Sequence, residues 1–256
     1  MTFEPYTAAI LAIIFCSTLA RSTFGFGNAL VAMPLLALVV GDALGRNFAS
    51  AYVALNSAII AAVITWQDWR HVDLRSATRL VISSCFGIPV GLYLLAHLDM
   101  RIVKSVLAIL IIAFSAYALL RPKLIVLSSE RPIYLFGFLA GVLGGAYNTH
   151  GPPLVIYGSL RRWPPDRFRA TLQGYTLPAG LMIVVGHGLA GSLQPVVLRE
   201  FLYSLPLVLA ALVLGRRINQ RFDTRTFIRY VHILLILIGT MLLVTSLQSG
   251  GLLQRR

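Results

Sequence analysis

The stretch GGAYNTHGPP at residues 144–153 interrupts a long apolar run with glycines, prolines and polar side chains. A second interruption, RSTFGFGNALVAMP at residues 21–34, lies in the first half of the chain. Helix breakers in an apolar run are tolerated in a membrane only where the freed backbone groups line a cavity or are covered by protein. Paired interruptions at corresponding places in two halves are typical of membrane transporters, and they indicate where a substrate binds.

The overall composition is that of a membrane protein. The chain has 256 residues, of which 57% are hydrophobic and 12% charged, and its mean hydropathy is +0.80. Soluble domains carry charges on about a quarter of their residues. Uncharged runs such as residues 47–66 and 170–198 reach the length of roughly 20 residues that crosses a bilayer. We therefore predict an all-α polytopic membrane protein, embedded in the lipid bilayer of the cell inner membrane.

Ten apolar segments and the distribution of basic residues predict a topology. The segments cover residues 5–20, 24–42, 47–66, 76–98, 102–120, 132–147, 152–161, 168–190, 196–215 and 227–248. When successive loops are assigned to alternate sides, 16 of the 22 Lys and Arg residues fall on one side and six on the other. The basic side is expected to be cytoplasmic, which places both termini outside. Because this pattern accounts for the net charge of +13, we predict no nucleic-acid partner.

The two halves of the chain resemble each other in layout. The sequence Leu-Asp-Met-Arg at residues 98–101 corresponds to Phe-Asp-Thr-Arg at residues 222–225, an offset of 124 residues. The two interruptions recur at nearly this offset. With about five segments in each half, two such repeats are inverted relative to each other in the membrane. We predict a first inverted repeat over residues 1–124 and a second over residues 125–256, each starting with a broken or re-entrant helical hairpin.

The two interruptions have a chemical interpretation. A helix that begins inside the membrane presents free N–H groups and the positive end of its dipole. Asn28 is predicted to be the N-cap of the segment that follows it, and Pro152 to be the first helical residue after Gly151 or Thr149. In an inverted repeat the two helix starts meet near the centre and form an anion site. The alternative is that the glycines only allow close helix packing, and the accompanying polar side chains favour the site.

The positions of the titratable residues indicate the sign of the charge that the substrate carries. All nine acidic residues map to segment ends or loops, so the sequence offers no carboxylate at the middle of the membrane. This argues against a cation carrier and against a proton relay of carboxylates. His150 is then the best candidate for a proton carrier, and its alternative role is to donate a hydrogen bond. Arg21 is either an anchor whose side chain reaches water or a partner of an anionic substrate. Two separate cysteines indicate neither a disulfide nor a metal site, and we predict no cofactor.

The second interruption and the residues after it carry a resemblance to a known family. Asn-Thr-His-Gly-Pro-Pro at residues 148–153, followed by Phe-Arg-Ala-Thr at residues 168–171, looks like the second-half pattern of the TauE/SafE sulfite exporter family, also called the toluene sulfonate uptake permease family. The resemblance covers nearly the whole chain. In the first half, Gly27-Asn28-Ala29 stands where family members often have three glycines. The resemblance implies transport of sulfur-containing anions such as sulfite, sulfonates or sulfoacetate.

We therefore predict a secondary transporter that moves a small sulfur-containing anion across the cell membrane, coupled to an ion or proton gradient. The alternatives are an anion channel and, from a different class, an intramembrane enzyme, although no carboxylate accompanies Ser159 at its depth. We expect that the protein is not an enzyme, and the sequence leaves a homo-oligomer open. The predicted substrate-binding residues come from both interruptions and are Arg21, Gly25, Gly27, Asn28, Asn148, Thr149, His150, Gly151 and Pro152, with His150 also as the proton carrier.

Overall fold

The structure is a computed structural model that describes residues 6–24, 27–40, 44, 47–120, 127, 129–219, 233, 235–241, 243–244 and 246–247. These residues contain α-helices and no strands. The helices are α1 (Thr7–Phe24), α2 (Asn28–Val39), α3 (Phe48–Asp68), α4 (Leu74–His97), α5 (Met100–Leu120), α6 (Ile133–Tyr147), α7 (Gly151–Leu160), α8 (Pro165–Leu189) and α9 (Pro195–Asn219), with a short 3-10 turn at Trp69–His71. Residues 235–241, part of the predicted tenth segment, are also helical.

The helices are apolar enough to confirm the predicted polytopic membrane protein. Three of them, within Phe48–Gln67, Leu74–His97 and Pro195–Arg217, are long enough to cross a membrane by length and composition. Large hydrophobic side chains such as Phe86, Leu139 and Leu202 are exposed on the outside of the helix bundle. A soluble protein of this size would not expose so much apolar surface.

The helices break at the two places that the sequence predicts. The result is two broken helical hairpins, α1–α2 and α6–α7. α2 has 12 residues and α7 has 10, so they extend for roughly 18 and 15 Å. Since the hydrocarbon core is about 30 Å thick, neither helix crosses it alone. The backbone reverses before each of them through a residue with positive φ, which is Gly27 at +103° in the first hairpin and Asn148 at +54° in the second.

The helices pack in pairs that recur between the two halves. α1 packs along α9, and α4 packs along α6. α3 packs against α8 and α9, and α8 packs against α3 and α4. If the labels α1 and α6 are exchanged, and likewise α3 with α8 and α4 with α9, the same list of packed pairs results. The central element of the bundle is therefore the contact between α3 and α8, and one broken hairpin lies on each side of it.

Glycines allow α4 and α6 to approach closely. A Cβ atom on Gly91 of α4 would lie 2.1 Å from the carbonyl oxygen of Val142, and one on Gly145 of α6 would lie 2.4 Å from that of Ile88. Real Cβ atoms do not come this close to a backbone atom. Close packing, the alternative role of the glycines, therefore applies to Gly145, which belongs to the second interruption.

Ion pairs lie together at one end of the bundle. Asp73 pairs with Arg167 of α8, and Glu130 pairs with Arg79 at 2.5 Å and with Arg161 at 3.7 Å. Burial raises the pKa of Asp73, but hydrogen bonds from Arg167 and Ser76 outweigh this effect and hold the pKa below its usual value. All three arginines belong to the side of the membrane that the sequence assigns to the cytoplasm.

Candidate functional site

The two broken hairpins and α8 enclose one small cavity of about 30 Å³. Residues from both hairpins and from α8 line this cavity, and they are Arg21, Gly27, Asn28, Ala29, Leu30, Asn148, Thr149, His150, Gly151, Leu172, Gln173 and Thr176. The structure thus brings together seven of the nine predicted site residues. Pro152 is buried in the first turn of α7 but does not line the cavity, and Gly25 lies outside the described residues.

The start of α2 faces the cavity with backbone amides. The first backbone hydrogen bond of this helix runs from the Val31 N–H to the Gly27 carbonyl at 3.1 Å. The amides of residues 28–30 precede it, have no acceptor within the helix, and belong to residues that line the cavity. The start of α7 contributes less, because Pro152 and Pro153 have no N–H. Gly151 is the remaining first-turn donor, so the two helix starts are chemically unequal.

Two helices, α2 and α7, begin one residue earlier than the sequence predicts. Asn28 is the first residue of α2 and not its N-cap; that position is occupied by Gly27 in a left-handed conformation. A positive φ of 103° suits glycine and excludes the Asn side chain from the capping position. Similarly, α7 begins at Gly151 with His150 as its N-cap, so Pro152 is the second helical residue. Both differences are one residue long and keep these residues at the helix starts.

Only the oxygen of the Asn28 side-chain amide is hydrogen-bonded. Its Oδ1 accepts a hydrogen bond from the Ser57 hydroxyl of α3 at 3.1 Å. Its Nδ2 is buried and has no partner. A buried amide donor without a partner costs about 1–3 kcal/mol, so this group is suited to bind a ligand that supplies an acceptor.

Arg21 lies inside the protein, on the last turn of α1, with only 4% of its surface exposed. One terminal nitrogen donates to Oε1 of Gln173 at 2.8 Å and the other to the carbonyl of Ser57 at 3.4 Å, while Nε has no partner. These partners are neutral. No ion pair with a carboxylate is found for Arg21 among the described residues. The interpretation of Arg21 as an anchor that extends to water is therefore wrong.

The tip of the second hairpin is held by α3. The side-chain amide of Asn148 donates to the carbonyl of Ser50 at 2.8 Å and to its hydroxyl at 3.1 Å. That hydroxyl also lies 3.1 Å from Nε2 of His187 on α8. Asn148 is thus a buried residue whose amide fixes the hairpin to the centre of the bundle.

His150 completes the polar wall of the cavity. Its ring packs edge-on against Tyr175 with 5.7 Å between centroids, and its Nδ1 is buried without a partner. The Thr149 hydroxyl donates to the carbonyl of Tyr147 at 3.0 Å. Three buried nitrogens without partners, from Arg21, Asn28 and His150, therefore belong to residues around one cavity.

Gln173 and Thr176 are site residues that the sequence analysis did not select. They lie three residues apart on α8, on the helix face that covers the cavity. The sequence did contain an indication of these two residues, because both are uncharged polar residues inside an apolar run. What the sequence did not contain was the pairing of Gln173 with Arg21, a residue 152 positions away.

Comparison with known proteins identifies the family. The family described as "Sulfite exporter TauE/SafE" matches residues 10–242. The chain belongs to the TauE/SafE sulfite exporter family. This confirms the resemblance drawn from the second-half pattern, and it makes the protein a member of a transporter family.

A curated relative supports this membership over nearly the whole chain. It is named "Probable sulfite/organosulfonate exporter TauE", comes from Cupriavidus necator, and is 23% identical over 247 residues. The alignment covers 93% of this chain and 94% of the relative. No solved structure matches the chain. Among the residues that the structure describes, no cluster of three or more His, Cys, Asp or Glu could hold a metal ion.

Proposed function

We propose that this TauE/SafE family member is a secondary transporter of a small sulfur-containing anion, such as sulfite or a short sulfonate, and that the anion binds in the cavity between the two broken hairpins. The observation that carries the proposal is Arg21, a buried guanidinium whose partners around the cavity are neutral. A buried charge without a counterion is costly, and a bound anion removes that cost.

The other groups around the cavity support an anionic ligand. The amides at the start of α2 and the dipole of that helix favour negative charge. The buried Nδ2 of Asn28 supplies a further donor without a partner.

We further infer that the halves 1–124 and 125–256 are inverted repeats, with the substrate at the interface between them. The exchange of helix pairs between the halves and the matching breaks before α2 and α7 support this arrangement. Rocking of one repeat against the other would then expose the cavity to each side of the inner membrane in turn. We propose that an ion or proton gradient drives this exchange, with His150 as a proton carrier.

The test compares variants of Arg21 in proteoliposomes with radiolabelled sulfite. Arg21→Gln should lower uptake at least about tenfold, since losing one charged partner of an anion is worth 1.4 kcal/mol or more. Arg21→Lys keeps the charge but loses the planar fork that reaches Gln173 and Ser57, so we expect an intermediate rate. Arg131→Gln, at an exposed position, is the matched control and should transport normally.

Two outcomes would contradict the proposal. Normal sulfite uptake by Arg21→Gln would remove the cavity from the transport pathway. Absence of counterflow, in which unlabelled anion inside the vesicles drives accumulation of labelled anion, would favour a channel over a carrier.

A further inference from the structure

The guanidinium of Arg21 is held from the other half of the chain by Gln173. Gln173 lies on α8, and only 1% of its surface is exposed. Its Oε1 accepts a hydrogen bond from a terminal nitrogen of Arg21 at 2.8 Å. Because a guanidinium donates hydrogen bonds and has no acceptor, the carbonyl end of the Gln173 amide must face it. Gln173 therefore fixes where the positive charge lies at the wall of the cavity.

The second hairpin is held in a corresponding way. Asn148 at its tip donates to Ser50 of α3, whereas Arg21 of the first hairpin donates to Gln173 of α8. α3 and α8 are the helices that exchange labels when the two halves are compared. The side chain that is held is a neutral amide in one hairpin and a cation in the other. The first hairpin is therefore the one that brings a fixed positive charge to the cavity.

Position 173 combines a hydrogen-bond acceptor with the absence of charge. The other acceptor for Arg21, the carbonyl of Ser57, is also neutral. None of the described residues that line the cavity is Asp or Glu. A glutamate at position 173 would have nearly the same shape and would also accept from Arg21, but it would neutralise the guanidinium in a buried ion pair. The amide instead orients the charge without compensating it.

A purely structural role for Gln173 and a role in selecting the ligand require different properties of this side chain. A structural role requires only an acceptor for the buried guanidinium, and a carboxylate would fill it at least as well, since hydrogen bonds between charged groups are the stronger ones. Selection of an anion requires that the acceptor be neutral. The two roles therefore rank the same substitutions in opposite order.

We propose that Gln173 determines the sign of the charge that the cavity accepts. It holds Arg21 in place and, because it is neutral, keeps the guanidinium available to an anion. The bound anion is then the counterion that the cavity itself lacks, and burial of the charge favours its binding. This inference rests on the proposed function and deepens it, since it names the residue that makes the site selective for anions.

The decisive variant is Gln173→Glu in the purified full-length protein, with sulfite binding measured by titration calorimetry and stability by thermal unfolding in detergent. We expect it to melt at or above the temperature of the parent, because the carboxylate still accepts from Arg21. It should bind sulfite at least about a hundredfold more weakly, because the ligand then meets a buried negative charge. Gln67→Glu adds the same charge at an exposed position near the end of α3, and this control should bind like the parent.

Gln173→Met separates the charge of the site from the hydrogen bond. Its side chain is of similar length but lacks the carbonyl acceptor, so Arg21 keeps its charge and loses one partner. We expect a lower melting temperature than that of the parent, because a buried donor is left unsatisfied. Sulfite binding should stay within about tenfold of the parent, since the positive charge remains. The expected order of affinity is therefore parent, Gln173→Met, Gln173→Glu.

Several results would overturn the role of Gln173 in charge selection. They are sulfite binding by Gln173→Glu at the affinity of the parent, loss of folding in that variant, and weaker binding by Gln173→Met than by Gln173→Glu. If Gln173→Met does not fold, the comparison of Gln173→Glu with the parent decides alone. A parent that binds no sulfite would contradict the proposed function and this inference with it, whereas a binding parent with an unaffected Gln173→Glu contradicts the inference alone.

Discussion

Asn148 acts through both its backbone and its side chain. It ends α6 in a left-handed conformation, and its side-chain amide donates to Ser50 on α3. Asn is one of the few residues other than glycine that adopts this conformation at low cost. The backbone and the side chain of Asn148 therefore both determine where the tip of the second hairpin lies relative to the cavity.

Substitution of Asn148 should separate these two roles. Asn148→Ala loses the amide and strains the left-handed backbone, whereas Asn148→Gly loses only the amide. We expect both variants to insert into the membrane and to transport sulfite at least about tenfold more slowly, since a buried hydrogen-bonded amide is worth about 1–2 kcal/mol. Uptake by Asn148→Gly at the parent rate would show that only the backbone conformation matters.

His150 provides the test of proton coupling inside the anion cavity. His150→Gln keeps a hydrogen-bond donor but does not titrate. We expect it to bind the anion more weakly and to lose the response of uptake to a pH gradient across the proteoliposome, because a proton on the imidazole would no longer offset the substrate charge. A response equal to that of the parent would assign His150 a structural role.

At the scale of the helices, breaks and close contacts are produced by different residues. α4, α8 and α9 continue through Pro89, Pro178 and Pro206, so a single proline does not end a helix in this bundle. The breaks occur where several breakers and a residue with positive φ come together. Close approach instead depends on the glycines of α4 and α6, which are helical throughout.

Two glycine-to-alanine substitutions should have effects of opposite sign. In a helix, alanine is favoured over glycine by about 1 kcal/mol. Gly188→Ala on α8 meets only a side-chain atom of Leu193 at 3.6 Å, so this variant should be as stable as the parent or more stable. Gly91→Ala places a Cβ against the Val142 carbonyl and should be destabilised by roughly 1–3 kcal/mol. Thermal unfolding in detergent measures both, and equal melting temperatures for Gly91→Ala and the parent would contradict the packing role.

For the whole molecule, a cluster of ion pairs marks one end of the bundle. The ion pairs of Asp73 and Glu130 with arginines lie at the end formed by the start of α4 and the start of α8. The hydrogen bond between Thr7 and Glu200 joins the starts of α1 and α9 at a separate place. Which end of the bundle faces the cytoplasm stays a prediction from the count of alternating segments.

Cysteine labelling tests which end faces the cytoplasm. In a background with Cys16 and Cys85 replaced by serine, since both are exposed, we expect Gln220→Cys to react only with reagents that reach the cytoplasm. Residue 220 lies in the basic stretch 216–229, whose first four residues end α9 and whose remainder is outside the described residues. Gln194→Cys, between α8 and α9, should react from the periplasm and serves as the control. Periplasmic labelling of residue 220 would overturn the orientation with both termini outside.

The amino-acid sequence by itself determined the features that depend on neighbouring residues. Apolar runs determined the helices and the membrane class, because burial in lipid needs a continuous apolar segment. The clusters around Asn28 and Asn148 determined where the helices break, and the motif at residues 148–153 determined the family. Two helix starts, at Asn28 and at Pro152, were misplaced by a residue; at Asn28 the choice between it and Gly27 depends on the local φ angle.

The tertiary structure alone decided which polar groups meet. Arg21 lies against Gln173, and Thr7 against Glu200, across 152 and 193 residues of chain. The same arginine on the same helix would reach water if α1 faced outward, and the same glutamate would be an ordinary end residue if α1 and α3 did not cover it. Burial and partnership are set by which helix faces pack together, and that depends on contacts summed over the whole bundle, which no local pattern of residues contains.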